Sequence, residues 1–190
     1  MRIKIRKEDV LIFLISILIL TLFLYVFSPG ILSYDSYNQL NQIKTNNFSN
    51  WHPFFHTFIE MVLLKIYDSP VIIGGFQILV FSIIWTFICH YNRSNTKKNL
   101  ILQILLTLFI CFNPINFTYA ITLWKDILFS YILLLICFFI QIIVEKKYRC
   151  SYKFIVMVGL FLAILSQIRY NGLYISLVVM FIMSFLFYKK

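Results

Sequence analysis

The feature that most constrains this sequence is a series of long apolar runs. The first run, 10–27, is VLIFLISILILTLFLYVF and contains no charged side chain. A helix needs about 20 apolar residues to cross the hydrocarbon core of a bilayer. Of the 190 residues, 61% are hydrophobic and 13% are charged, whereas a soluble domain has about 25% charged residues. Lipid must therefore solvate much of the surface, and because the runs do not alternate in polarity they predict helices rather than barrel strands.

Six of these runs are predicted to span the membrane. The third run, 100–117, contains Asn113-Pro114, which predicts a break near its outer end. The last two are short, and we expect flanking cations such as Arg169 to extend their reach by snorkelling to the interface. The first lacks a small-residue cleavage site and is interpreted as a retained signal anchor. The whole chain is thus predicted to be one all-α, polytopic membrane domain with spans at 10–27, 71–91, 100–117, 127–144, 154–168 and 173–187.

Residues 53–67 are predicted to form a further helix, which is too short and too polar to span. His52 precedes a proline at the predicted first helical position, where proline is favoured. His56, Thr57 and Glu60 fall on one face, and apolar side chains surround the rest. We therefore predict an amphipathic helix lying in the membrane interface, within the first outer loop.

The basic residues determine the predicted topology. If 53–67 does not span, all four clusters of Lys and Arg fall on one side, as the positive-inside rule expects of cytoplasmic segments. The sequence therefore predicts a multi-pass protein of the cell membrane with both termini in the cytoplasm. Topology accounts for the net charge of +10, which does not indicate nucleic-acid binding. The clusters are Arg2, Lys4, Arg6 and Lys7; Arg93, Lys97 and Lys98; Lys146, Lys147, Arg149 and Lys153; and Lys189 and Lys190.

Polar side chains are concentrated in the three predicted outer segments. The strings YDSYNQL, NWHPFFH, TLWKDILFS and SQIRYNG bring two acids, Asp35 and Asp126, and two cations, Lys125 and Arg169, to one side of the membrane. Charges close to a membrane helix are costly, so they tend to be paired or functional. We predict that the four strings line one interfacial cavity.

Each of these charged residues also has a purely structural interpretation. Asp35 is a favoured N-cap residue type and would cap a short helix in the loop. Lys125 and Asp126 would mark a helix start, where an aspartate is favourable, and Arg169 would only snorkel. The occurrence of acids and cations on three separate loops favours a site.

A metal site is a weaker interpretation of the same region. His52, His56 and Glu60 recur at i, i+4 and i+8 and match a set of two histidines and one carboxylate. Histidines at helical spacing are more often interfacial side chains, so no metal ligand is assigned. The four cysteines show no CxxC spacing and indicate neither a zinc site nor a disulfide framework.

The order of these features resembles the GT-C superfamily of membrane glycosyltransferases, which includes the protein O-mannosyltransferases and the lipid A aminoarabinose transferases. A basic N-terminus and one helix precede an outer loop with an early acid in SYDS. Then come WHP opening a short helix, LWKD in a second outer loop, and RYNG. The resemblance covers nearly the whole chain and corresponds to the N-terminal module of the superfamily, whose members continue further. A compact enzyme, half of a two-chain enzyme and an inactive remnant all remain open.

The resemblance implies transfer of a sugar from a polyprenyl-phosphate-linked donor to an acceptor on the outer face of the membrane. By position, Asp35 would be the catalytic acid/base and Asp126 the second outer-loop acid. A carboxylate that takes the acceptor proton accelerates transfer by about 10²–10⁴-fold. Cations stabilise the leaving phosphate, and Arg169 is favoured over Lys125 because its fork matches phosphate oxygens.

The remaining donor-site candidates are His52, Tyr34, Trp51 and Trp124, although Trp and Tyr are enriched at membrane interfaces in any case. Some members of the superfamily use a divalent metal and others do not, so the cofactor stays open. Expected partners are the lipid-linked donor, membrane lipid and a second membrane chain. Two other functions remain: a non-catalytic accessory subunit that binds lipid-linked sugar, and a small transporter, against which the lack of internal repeats argues.

Overall fold

A computed structural model describes residues 5–49, 53–94, 96–145 and 152–188. Within these ranges the chain is helical and contains no strand, which confirms the predicted all-α class. The helices are α1 Lys7–Val26, α2 Tyr34–Thr45, α3 Phe54–Ile66, α4 Val71–Tyr91, α5 Lys97–Phe112, α6 Pro114–Ala120, α7 Lys125–Val144, α8 Tyr152–Ile168 and α9 Tyr170–Tyr188.

Three of these helices, α1, α4 and α7, are long and apolar enough to cross a membrane. Helices α5 and α6 meet at an angle of 69° and add a fourth candidate span if they act together. Helix α8 and the apolar part of α9 are also apolar but shorter, at most 17 residues each. Three to four spans are therefore supported within the described residues, and the predicted count of six is not confirmed.

The predicted break at Asn113-Pro114 is confirmed, because α5 ends at Phe112 and α6 begins at Pro114. The side chain of Asn113 caps α6 by accepting a hydrogen bond from the backbone N–H of Ile115 at 3.0 Å. Proline is favoured at the first helical position because the amide that it lacks would have no partner there.

Helix α7 lies at the centre of the fold. One face packs against α8, where Ile136 and Phe139 are buried with Leu165. A second buried cluster joins α1, α4 and the end of α6 through Leu20, Ile78 and Ile121. Because α7 is packed at the centre of the fold, the side chains of its first turn are held in fixed positions.

Helix α2 lies where the structural interpretation of Asp35 placed a short loop helix, for which no bounds were predicted. It begins after Ser33, whose hydroxyl accepts a hydrogen bond from the backbone N–H of Ser36, and it ends at Asn46 in the left-handed conformation. Asp35 lies in the first turn and is not the N-cap residue. The interpretation of Asp35 as a cap is therefore wrong, although a carboxylate in a first turn is still favourable.

Helix α3 differs from the predicted interfacial helix in its orientation. An interfacial helix normally turns its polar face toward water. The predicted shared face of His56, Thr57 and Glu60 exists, but all three side chains are buried, while Phe54 and Phe58 are exposed. The helix therefore turns its polar face into the protein and its apolar face outward.

Candidate functional site

The first element of the site is an ion pair between Asp35 in α2 and Lys125, the first residue of α7. Lys125 Nζ donates to Asp35 Oδ2 at 2.9 Å, and the indole N–H of Trp124 donates to the same oxygen at 3.3 Å. The Asp35 side chain is only 27% exposed and the Lys125 side chain only 11%. A pair that is this shielded from water is screened less than a surface pair, so it fixes the position of the carboxylate.

Backbone contacts hold the segment before α7 in place. The backbone N–H of Ile31 donates to the carbonyl of Ile121, and the N–H of Leu123 donates back to Ile31, both at 3.0 Å. Gly30, at φ +109°, allows this approach, because a Cβ there would lie 2.8 Å from the Ile121 carbonyl oxygen. The loop after α1 and the segment before α7 are therefore joined directly.

Two side chains from other helices extend this attachment. The hydroxyl of Ser36 in α2 donates to the carbonyl of Leu123. The amide of Gln77 in α4 donates to the carbonyl of Thr122 at 2.9 Å. Helices α2 and α4 and the loop after α1 thus determine where Trp124 and Lys125 lie, and Ser36 follows Asp35 by one residue.

The second element is an ion pair between Asp126 of α7 and Arg169, which lies between α8 and α9. Asp126 Oδ1 is 3.2 Å from Arg169 Nη1, and the two side chains are 21% and 41% exposed. The Arg169 guanidinium carbon also lies 5.8 Å from the centroid of the Phe129 ring, within cation–π distance. Gly172 permits the tight corner, because a Cβ there would lie 2.2 Å from the Leu165 carbonyl oxygen.

The structure therefore brings together four of the predicted site residues, and each cation is paired with an acid. Sequence reasoning treated Lys125 and Arg169 as cations available to a phosphate and did not foresee these pairs. Tyr34 neighbours Asp35 in the chain and is exposed. Two further candidates, Trp51 and His52, lie outside the described residues.

A third group of polar side chains lies on the inner face of α3. Gln39, one helical turn after Asp35, donates to the Thr57 hydroxyl at 3.1 Å and lies 3.1 Å from His56 Nδ1. Glu60 Oε1 is 3.6 Å from His56 Nδ1. Burial raises the pKa of Glu60 to about 8, and the nearby positive charge of Lys125 offsets part of that rise. At neutral pH most Glu60 side chains are therefore protonated.

The described residues do not form the predicted metal site. Among them, no three His, Cys, Asp or Glu side chains come together as metal ligands. His56 and Glu60 lie on one face as predicted, but the position of His52 is not described. These contacts place His56 in a buried hydrogen-bonding group with Gln39 and Thr57, and Glu60 lies beside it at 3.6 Å from His56 Nδ1.

A groove of about 480 Å³ begins beside the two ion pairs. Trp124 and Asp126 line one end, and the groove continues along α7 to Leu134, a distance of about 12 Å at the helical rise. The deeper walls are mostly apolar and include Phe81 and Trp85 of α4. The groove therefore joins a charged end to an apolar interior.

A separate buried ionic cluster lies at the opposite end of α1 and α4. Asp9 Oδ1 accepts from Arg93 Nη1 at 2.6 Å, and Asp9 Oδ2 is 2.7 Å from His90 Nδ1. Arg93 also donates to Gln103 Oε1 of α5 at 2.9 Å. Sequence reasoning missed this cluster, since it assigned Arg93 only to topology. The sequence did contain a signal for it. Asp9 begins one apolar run, and His90 and Arg93 end another on the same predicted side of the membrane.

Comparison of the chain with family models, with curated proteins and with solved structures gave no match. The fold and the site therefore define a helical protein with several helices that can cross a membrane. Asp126, which pairs with Arg169, lines an amphipathic groove, and Trp124, which donates to Asp35, lines it too. The GT-C resemblance stays an expectation from the sequence.

Proposed function

We propose that this chain is a GT-C-type membrane glycosyltransferase that transfers a sugar from a polyprenyl-phosphate-linked donor to an acceptor at the outer face of the membrane. The observation that carries the proposal is the meeting of two carboxylates and two cations at the first turn of α7, beside a groove that Asp126 lines. A lipid-linked anionic donor matches the groove, because it has a charged headgroup and an apolar chain as the groove has a charged end and an apolar interior.

The proposed topology keeps six spans and places both termini in the cytoplasm. In this topology α5 and α6 cross the bilayer as one bent span, and α8 and α9 cross it as two short ones. The distribution of basic clusters supports this arrangement. The end of the bundle that carries the ion pairs then faces the outer leaflet.

For donor binding, the proposal assigns the polyprenyl chain to the groove and the phosphate to Lys125 and Arg169. Each cation would exchange part of its contact with a carboxylate for a phosphate oxygen. The fork of Arg169 suits two phosphate oxygens, whereas Lys125 offers a point charge. Trp124 and Tyr34, with Trp51 and His52, are the proposed contacts to the sugar.

The proposed step is attack of an acceptor hydroxyl on the anomeric carbon of the donor. A new C–O bond forms as the bond from the anomeric carbon to the phosphate oxygen breaks, and the electron pair leaves with the lipid phosphate. The Asp35 carboxylate accepts the hydroxyl proton. Protonation of Asp35 weakens its hold on Lys125 and leaves that cation to stabilise the phosphate. Asp126 keeps Arg169 oriented toward the groove.

A non-catalytic subunit that binds lipid-linked sugar is the second candidate. The pairing of both acids with cations favours it, since a carboxylate that already accepts a hydrogen bond from a lysine at 2.9 Å is less available to an acceptor hydroxyl. Such a subunit would act with a second membrane chain. In that case the Asp35→Asn variant would leave the activity of the partner chain intact.

The experiment uses the full chain in lipid nanodiscs with labelled polyprenyl phosphate and a panel of polyprenyl-phosphate sugars. Asp35→Asn is expected to bind polyprenyl phosphate but to release no sugar, and Arg169→Ala is expected to bind it at least tenfold more weakly. Asp68→Asn and Lys65→Ala are the matched controls, because both side chains are exposed near the α3–α4 turn. Equal binding and transfer by all four variants would contradict the proposal.

A further inference from the structure

A second cavity, of about 560 Å³, lies between the start of α3 and the corner that joins α8 to α9. Phe54 and Phe58 of α3 form one wall, and Ser166, Gln167 and Tyr170 belong to the other. Its volume falls within the range of about 300–1,000 Å³ that is usual for small-molecule sites.

The second cavity and the groove lie beside the two partners of one ion pair. Asp126 lines the groove, whereas Gln167 and Tyr170, which line the second cavity, flank Arg169 in the chain. Asp126 and Arg169 are in contact at 3.2 Å. One partner of this ion pair therefore lines the groove, and the chain neighbours of the other line the second cavity.

The lining of the second cavity differs in chemistry from that of the groove. None of the described residues that line it carries a charge. Its polar groups are hydroxyl and amide: Ser166 Oγ already donates to the Ala163 carbonyl at 2.7 Å and can still accept, and the exposed Gln167 amide can do both. Phe54, Phe58 and Tyr170 add large aromatic faces.

We propose that the second cavity binds an uncharged, hydroxyl-bearing sugar acceptor and holds it beside the Asp126–Arg169 pair, next to Lys125 and the Asp35 carboxylate that Lys125 contacts. Aromatic faces suit the apolar faces of sugar rings, and amide and hydroxyl groups suit their hydroxyls. An anionic acceptor would find no cation among the described residues of the lining. This inference rests on the proposed function, which already supplies the donor site in the groove.

The test measures sugar binding separately from donor binding, with the full chain in nanodiscs. The probes are glucose, maltose and glucuronate, and saturation-transfer NMR measures their binding. Polyprenyl phosphate is titrated in a parallel sample. Wild-type protein is expected to bind the two neutral sugars and to bind glucuronate more weakly. Tyr170→Ala and Phe54→Ala are expected to weaken neutral-sugar binding about two- to tenfold each, the loss of one aromatic contact. Tyr174→Ala, an exposed tyrosine one turn along α9, is the control and should change nothing.

Three outcomes would overturn the inference. The first is neutral-sugar binding that is absent or equal in every variant. The second is displacement of the sugars by polyprenyl phosphate, which would place them in the groove. The third is loss of polyprenyl phosphate binding in Tyr170→Ala, which would assign the cavity to the donor. Failure of the proposed function looks different, because wild-type protein would then bind sugar but no polyprenyl phosphate.

Discussion

The buried carboxylic acid of Glu60 makes the stability of this fold depend on pH in a predictable direction. Glu60 is 1% exposed, and burial raises its pKa from 4.5 to about 8. The folded state therefore holds a proton on Glu60 between these two values, whereas the unfolded chain releases it. Since the folded state binds more protons in this window, raising the pH weakens the fold.

The magnitude follows from the two pKa values. Each pH unit within the window costs about 1.4 kcal/mol of the free energy of unfolding. The complete loss between pH 4.5 and pH 8 is therefore about 5 kcal/mol, and about 3 kcal/mol of it is reached at pH 7. Above pH 8 the contribution is constant, because Glu60 is then ionised in both states.

The Glu60→Gln variant removes this titration and keeps the shape of the side chain. We expect the variant to gain about 3 kcal/mol relative to wild type when the pH rises from 4.5 to 7. Unfolding in lipid–detergent micelles, followed by circular dichroism across that pH range, measures the difference. Titrations shared by the two proteins cancel in the comparison.

Asp68→Asn is the matched control, because Asp68 is an exposed acid in the turn after α3. It should follow the wild-type pH dependence closely. Parallel curves for wild type and Glu60→Gln would refute the reasoning, because they would show that Glu60 is ionised in the folded protein at neutral pH.

Two further perturbations test the packing of the fold. Asp9→Ala leaves the buried guanidinium of Arg93 without a counter-charge and should cost about 3–5 kcal/mol of unfolding free energy in the same assay. The control, Glu8→Ala, should cost less than about 1 kcal/mol. Equal losses in the two variants would contradict this assignment of Asp9. Gly30→Ala forces a Cβ into a left-handed position against a carbonyl and should cost about 1–3 kcal/mol. Gly75→Ala, where a Cβ meets nothing within 4 Å, should be neutral or stabilising by up to about 1 kcal/mol, so a larger loss at Gly75 would overturn this explanation.

The sequence predicts the parts of this fold that local chemistry controls. Long apolar runs predicted the helical class, and Asn113-Pro114 predicted a break, because proline cannot continue a helix interior. Spacing placed His56 and Glu60 on one face of α3. These features depend on residues within one or two turns of each other.

The features that the sequence did not reveal depend on how helices pack. The direction of the α3 polar face follows from Gln39 on α2, which hydrogen-bonds to Thr57, and no local pattern encodes that partner. The pairing of Lys125 with Asp35 joins residues 90 positions apart. The bounds and the cap of α2 were also not predicted, because its polar composition resembles that of a loop and only the Ser33 cap marks its start.

The most direct test of the central claim compares cell-surface glycans and lipid-linked sugars in cells that carry wild-type protein, Asp35→Asn, or neither. The proposed enzyme predicts that a glycan is lost in both the null and the Asp35→Asn cells while the lipid-linked donor accumulates. Loss in the null cells alone would indicate an accessory subunit. No change in any glycan or lipid-linked sugar would contradict a role in sugar transfer.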